Sequence, residues 1–150
     1  MIIVGIDPGK STGIAVLGHN EITHPTLITH DTPAPENVTG VLESLLSELD
    51  HQQVVIVVER FVLREGMYGV DTTPIEVIGR IKEWIKNKSY PVHWQLPTEK
   101  ELATNAVLRR LGLWLKGTDQ RHVMDATRHV VVHLVTNKHI PTIKKGWPSE

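Results

Sequence analysis

The run Val4-Gly5-Ile6-Asp7-Pro8-Gly9-Lys10-Ser11-Thr12-Gly13-Ile14-Ala15-Val16 constrains this chain more than any other stretch. Residues 2 to 6 are all β-branched or glycine, which suits a buried strand. Gly9 and Gly13 bracket a hairpin-like turn that returns into a second apolar strand. Asp7 is therefore expected at a strand end, held by rigid backbone and facing out of the sheet, where a metal ligand or phosphate-site residue belongs.

Gly9-Lys10-Ser11 imitates the end of a Walker A motif, but the glycine required five residues earlier is Val4, and an aspartate stands where the loop should cradle phosphate. Two chemical readings of the turn remain. One is an RNase H-like nuclease strand carrying its first metal carboxylate, and the other is the first phosphate hairpin of an actin or sugar-kinase ATPase. A plain hairpin with an incidental aspartate is the bland third.

A chain of 150 residues fits one domain with a proper core and leaves little room for a second. This weighs against the ATPase, which closes two such domains over its nucleotide. With no cysteine there is neither a disulfide framework nor a thiolate metal site, and a reducing compartment is natural. No apolar run approaches the roughly 18 residues of a membrane span, and Met1 leads straight into a strand. A soluble, intracellular, cytoplasmic protein without a membrane partner is the expectation. The formal charge of −1 argues against a generally basic nucleic-acid coat but not against a nuclease, whose clustered acids offset basic residues on the rim. Basic residues are grouped at Arg60 and Arg64, at Lys82, Lys86 and Lys88, at Arg109 and Arg110, and at Lys144 and Lys145. Each group is either a solvated helix face or a nucleic-acid contact.

Three strands are predicted over residues 2–7, 13–18 and 25–30, followed by a helix whose apolar positions are Val38, Val41, Leu42, Leu45, Leu46 and Leu49. Val54 to Val58 is so short and β-branched that it reads as a buried parallel strand, ending at Glu59. Residues 60–73 read as a loop or frayed helix. Pro74 opens a helix to about Asn87, and Pro91 to Leu96 is a strand. Thr98 and Glu101 form a capping-box pattern for a helix beginning near Glu99. The last helix runs from about Asp119 to Asn137, so that residues 1–137 make an RNase H-like domain and 138–150 a loose tail. The fold class is α/β: a mixed sheet, three antiparallel strands then parallel ones, flanked by helices.

Glu59 repeats the logic of Asp7, and if strands one and four are neighbours the two carboxylates lie within reach of one metal ion. In the last helix His122, Asp125, His129 and His133 fall at offsets of three, four and four, hence along one face. Val123, Val130 and Leu134 occupy another face, expected against the sheet, and Ala126 is small enough for a close approach.

The initial Gly-Ile-Asp-Pro-Gly with a following Thr-Gly, the apolar strand ending in Glu, and the late His-x-x-Asp-Ala together resemble the RuvC family of Holliday junction resolvases. The Asp-Ala-x-Arg-His continuation is similar to its phage-encoded branch. The resemblance spans Ile3 to Leu134 and implies catalytic, metal-binding acids at Asp7, Glu59 and Asp125, with His122 at a position that is Asp or His in relatives. It implies two Mg2+ or Mn2+ ions, Asp7 bridging them, Glu59 completing one site and Asp125 the other, while His122 ligates or carries a proton. It also implies a homodimer that nicks four-way DNA junctions symmetrically, with the apolar stripe of the 74–87 helix, including Trp84, as one candidate interface. DNA contacts are expected from Lys10, Arg60, Phe61, Arg64, Arg109 and Arg110. The chain departs from cellular members at Val62, where they carry an aromatic residue that helps open the junction; Phe61 stands one position early, and Met67 and Tyr68 follow. The rival readings are an RNase H-like nuclease of the YqgF type acting on structured RNA, an ATP-binding fragment, and a catalytically silent DNA-binding module.

Overall fold

In the computed structural model, which describes residues 1–49, 52–63, 66 and 69–149, one five-stranded sheet carries helices on both faces. The strands are β1 (Ile2–Asp7), β2 (Gly13–Gly18), β3 (Thr26–Asp31), β4 (Val54–Glu59) and β5 (Val92–Gln95), in the spatial order β3-β2-β1-β4-β5. β1 pairs antiparallel with β2, and β2 with β3, whereas β1 to β4 and β4 to β5 are parallel. The helices are α1 (Val38–Ser47), α2 (Thr73–Ile85), α3 (Asn105–Arg110), α4 (Arg121–Thr136) and α5 (Ile140–Gly146).

The central strands are apolar without alternation because both of their faces are covered. Ile2, Val4 and Ile6 pack with α1 and α2 through Val38, Leu42, Val77 and Ile81, while Ile3, Ala15, Leu17 and Val57 pack with α3 and α4 through Leu108, Val123 and Val130. β3, at the edge, alternates between half-buried and exposed residues.

Two glycines decide how near α4 comes. A Cβ on Gly5 would lie 2.3 Å from the carbonyl oxygen of Ala126, and one on Gly13 would lie 2.0 Å from that of His122. The α4 main chain therefore rests directly on the β1–β2 hairpin, a contact available only where both strands lack side chains. The small Ala126 belongs to this contact.

The structure corrects several sequence expectations. The segment after β5 is a 3-10 stretch, Pro97–Leu102, in which the Glu99 carboxylate caps the Leu96 N–H. The helix itself starts later, at Asn105, with the Thr104 hydroxyl accepting from the Val107 N–H at 3.3 Å. The segment expected to be a loose tail is ordered over residues 140–147: α5 packs on α3 and α4, Thr142 and Gly146 are buried, and Trp147 packs against the core. Lys138 turns the chain into it with a left-handed backbone, φ 58°, a conformation that favours the end of a helix. On α4, Met124, Thr127 and Val131 are buried as well as Val123, Val130 and Leu134.

Candidate active site

The parallel register of β1 and β4 aligns Ile6 with Val58, and one step further stands Asp7 beside Glu59. Both acids thus leave adjacent strand ends in the same direction. The close seat of α4 brings His122 and Asp125 over them: His122 Nδ1 lies 3.4 Å from Asp7 Oδ2. From the 3-10 stretch Lys100 reaches in, its Nζ 3.1 Å from Glu59 Oε2 and 3.4 Å from Asp125 Oδ2. Arg128, one turn beyond Asp125, donates to Asp125 Oδ1 at 2.8 Å and to the carbonyl of Ala103 at 3.0 Å, with Asn105 Oδ1 as its third partner. His129 is fully buried beneath Glu59, with Nε2 2.8 Å from Glu59 Oε2 and Nδ1 2.5 Å from Gln95 Oε1.

This is a crowded set of negative charges. Asp7 is buried, and burial followed by repulsion from Glu59 pushes its carboxyl up to about 8, against the pull of Lys100. Glu59 moves the other way: burial raises it, but the hydrogen bond from His129 and the charge of Lys100 outweigh that and hold it below the usual carboxylate range. Lys100 is raised, because Glu59, Asp125 and Asp7 overcome the cost of its own burial. Burial, then the neighbouring Arg121, lowers His122. One of two adjacent acids is left short of positive charge, which is the condition under which a further cation binds favourably.

The donors are hard carboxylate oxygens, the chemistry that divalent magnesium or manganese requires. In the side-chain arrangement described, no group of three or more carboxylates or imidazoles among the described residues converges as a metal cage. The Lys100 ammonium, between Glu59 and Asp125, occupies the centre instead.

The four residues at helical spacing on α4 do share a stripe, but it does not face solvent. It runs down over β4 and β5: His122 and Asp125 stand at the mouth, His129 lies beneath Glu59, and His133 stacks against His93 with ring centroids 4.6 Å apart. Lys10 and Arg60 are exposed, and Phe61 and Arg60 help line a cavity of about 230 Å3 that reaches Pro8, Glu59 and Ile78. An open groove of about 720 Å3 lies on the other side of His122, between Ser11, Asp31 and Asp119. Arg109 stacks on Trp114 at 4.6 Å and Arg110 donates to the Gly146 carbonyl at 2.8 Å, so both are tied to the surroundings of α3 and α5. Arg64, Met67 and Tyr68 lie outside the described residues. Trp84 is engaged within the chain, donating to Glu43 at 2.8 Å and packing on Tyr90. At the β1–β2 turn Gly9 donates its N–H to the Thr12 hydroxyl at 3.3 Å, so this donor of the imagined phosphate loop is already used.

Sequence reasoning missed Lys100, Arg128 and Gln95. Lys100 looks like any lysine in a polar segment, and only the fold puts it among acids 25 and 41 residues away. The Asp125–Arg128 spacing of three was a readable signal.

No protein-family model and no curated protein matches this sequence. Among solved structures, it superposes on Thermus thermophilus RuvC in complex with a Holliday junction substrate with a TM-score of 0.68 and 17% identity, over 94% of this chain and 98% of that one. The fold is that of RuvC. A second Thermus thermophilus RuvC structure matches with a TM-score of 0.64 and 18% identity, covering 92% of this chain and 96% of the other. The RuvC likeness therefore extends over nearly the whole of both chains, strand order and flanking helices included. Among the described residues no helix is long and apolar enough to cross a membrane.

Proposed function

We propose that this protein is a divalent-metal-dependent endonuclease that resolves four-way DNA junctions, acting as a homodimer that makes paired nicks. The observation that supports this most is that Asp7 and Glu59 leave adjacent strand ends while Lys100 joins Glu59 to Asp125 of α4, on a fold shared with a junction-bound resolvase. Fold alone does not define function; the acid set does that work.

Asp7, Glu59 and Asp125 would hold the metal. Bound ions would supply charge stabilisation at the phosphate oxygens and a water of lowered pKa. Lys100 neutralises Glu59 and Asp125 in the resting site and must shift its ammonium to admit a cation; it then remains as a positive group beside the phosphate. Arg128 fixes the Asp125 carboxylate through Oδ1, leaving Oδ2 toward the centre. His122, held low in pKa and 3.4 Å from Asp7, is placed to accept or pass a proton at neutral pH or to serve as a further ligand. Lys10 and Arg60 supply contacts to the DNA backbone, and Phe61 lines the cavity that also reaches Glu59. Two symmetric scissile strands call for two acid sets, which a two-fold dimer supplies.

The test is Mg2+-dependent cleavage of a four-way junction, a linear duplex of equal length and a structured RNA, with sedimentation at the same concentration. Junction cleavage by a particle of twice the chain mass supports the proposal. A monomer nicking junction and duplex equally leaves a metal nuclease but not a resolvase, and preferential RNA cleavage assigns the other substrate class.

A further inference from the structure

His129 is not among the residues to which the proposed function gives a chemical role, yet it is the one fully buried imidazole in α4, and both of its nitrogens are engaged. A buried polar side chain in a helix otherwise packed with valine and leucine costs free energy unless its hydrogen bonds are complete. Here they are complete, and they fix its orientation. Gln95 Nε2 donates to the His129 carbonyl at 3.0 Å, which determines the direction of the Gln95 amide and turns its oxygen toward the ring. Nδ1 must therefore carry a hydrogen, and Nε2 is directed at Glu59. Nε2 stands 2.8 Å from Glu59 Oε2.

Apart from the neighbouring Asp7 carboxyl, the contacts of Glu59 among the described residues fall on one oxygen: His129 Nε2 and Lys100 Nζ each meet Oε2. We infer that Gln95 and His129 form a buried brace whose task is to hold the Glu59 carboxylate by Oε2 and reserve Oε1 for a divalent cation. They are positioning residues, acting only through Glu59. The helix that contributes Asp125 thus also orients, one turn later, the acid delivered by β4. The inference rests on the metal-nuclease reading above. It adds that the site's affinity for its ion depends on two residues that never touch that ion, as partners behind a ligand generally do.

The experiment is titration of Mn2+ into the DNA-free protein, followed by calorimetry or by loss of the free-ion paramagnetic resonance signal, with folding checked by circular dichroism and melting. His129→Leu fills the space without a donor, and it should bind Mn2+ about 10- to 100-fold more weakly than wild type. Gln95→Leu leaves the imidazole in place but frees it to turn, and should weaken binding about 3- to 10-fold, a smaller share of that same range. His129→Gln, whose amide nitrogen stands near the position of Nε2, should recover most of the loss. Thr127→Val, equally buried on α4 but bonded only to the Val123 carbonyl, should bind as wild type does. A purely structural cross-link predicts that all folded variants bind equally, and wild-type affinity in folded Gln95→Leu or His129→Leu overturns the brace. Wild-type protein that takes up no Mn2+ overturns the metal-nuclease reading itself, and the brace with it.

Discussion

The two ends of the sheet both gather titratable side chains, and they treat them in opposite ways. At the end where β1 and β4 finish, Glu59 and Asp125 are interlaced with Lys100 and Arg128, while Asp7 beside them is left short of positive charge. Toward the end where β1 begins imidazoles meet in two pairs: His19 and His139 are 5.1 Å apart edge to face, and His93, level with Gly5 across the sheet, lies 4.6 Å from His133. Both ring nitrogens of His19 are buried without a hydrogen-bond partner among the described residues. Burial and then the neighbouring His93 and His19 hold His133 down to about 4. One end stores charge and the other excludes it. Similar residue types therefore differ in what they can do according to whether acids and cations are gathered together or imidazoles alone.

The contrast should be largest in activity. Asp7→Asn, Glu59→Gln and Asp125→Asn should each lower junction cleavage by about two to three orders of magnitude, as expected when charge at a reacting phosphate is lost. Junction binding by gel shift should change little, because no basic contact to the DNA backbone is removed. His133→Gln should leave the cleavage rate within about twofold, a difference expected of a group remote from the reacting phosphate. A cleavage defect in His133→Gln as deep as that of Asp125→Asn would erase the functional distinction between the two ends.

The glycines under α4 come next. Gly13→Ala forces the helix off the hairpin at His122, and Gly5→Ala does so at Ala126. Each should cost about 3 kcal/mol in denaturant unfolding. Activity should fall further than stability explains, since His122 and Asp125 move with the helix. Wild-type cleavage by a destabilised but folded Gly13→Ala protein would show that the acid cluster tolerates a looser helix.

The pH dependence of stability should then carry opposite signs from the two ends. Folded Asp7 keeps its proton to about 8 while the unfolded chain releases it near 3.8, so between these values the native state binds more protons and stability falls as pH rises. For His133 the unfolded chain binds the proton near 6.5 and the folded one only near 4, so stability is lost as pH falls through that window. Melting curves from pH 4 to 9 should show Asp7→Asn more stable than wild type above pH 7, and His133→Gln with a flattened acid limb. Parallel curves for wild type and both variants would remove this part of the comparison.

The smallest effect concerns the α3–α5 corner. Arg110→Ala, which deletes the bond to the Gly146 carbonyl, should cost about 1 kcal/mol and leave junction affinity nearly intact. A marked loss of affinity with unchanged stability would support the DNA contact expected of Arg110 from the sequence.

Much of the layout follows from local pattern. The β-branched run of 2–6 can bury both faces only at the centre of a sheet, and the apolar strand from Val54 to Glu59 can only be its neighbour. The positions of Asp7 and Glu59 at strand ends, and of His122, Asp125, His129 and His133 on one stripe, need no more than the periods of strand and helix. What those periods cannot contain is distance between elements. That Lys100 lies among the acids, that Gln95 fixes the His129 ring, and that Gly5 and Gly13 are sites of helix contact all depend on where β5 and α4 come to rest. The same holds for residues 140–146: Ile140 to Gly146 is too short and too polar to announce a helix, and it forms one because α3 and α4 offer an apolar seat beneath it. Short-range spacing determined which residues could serve, and the packing of α4 onto the sheet decided which of them meet.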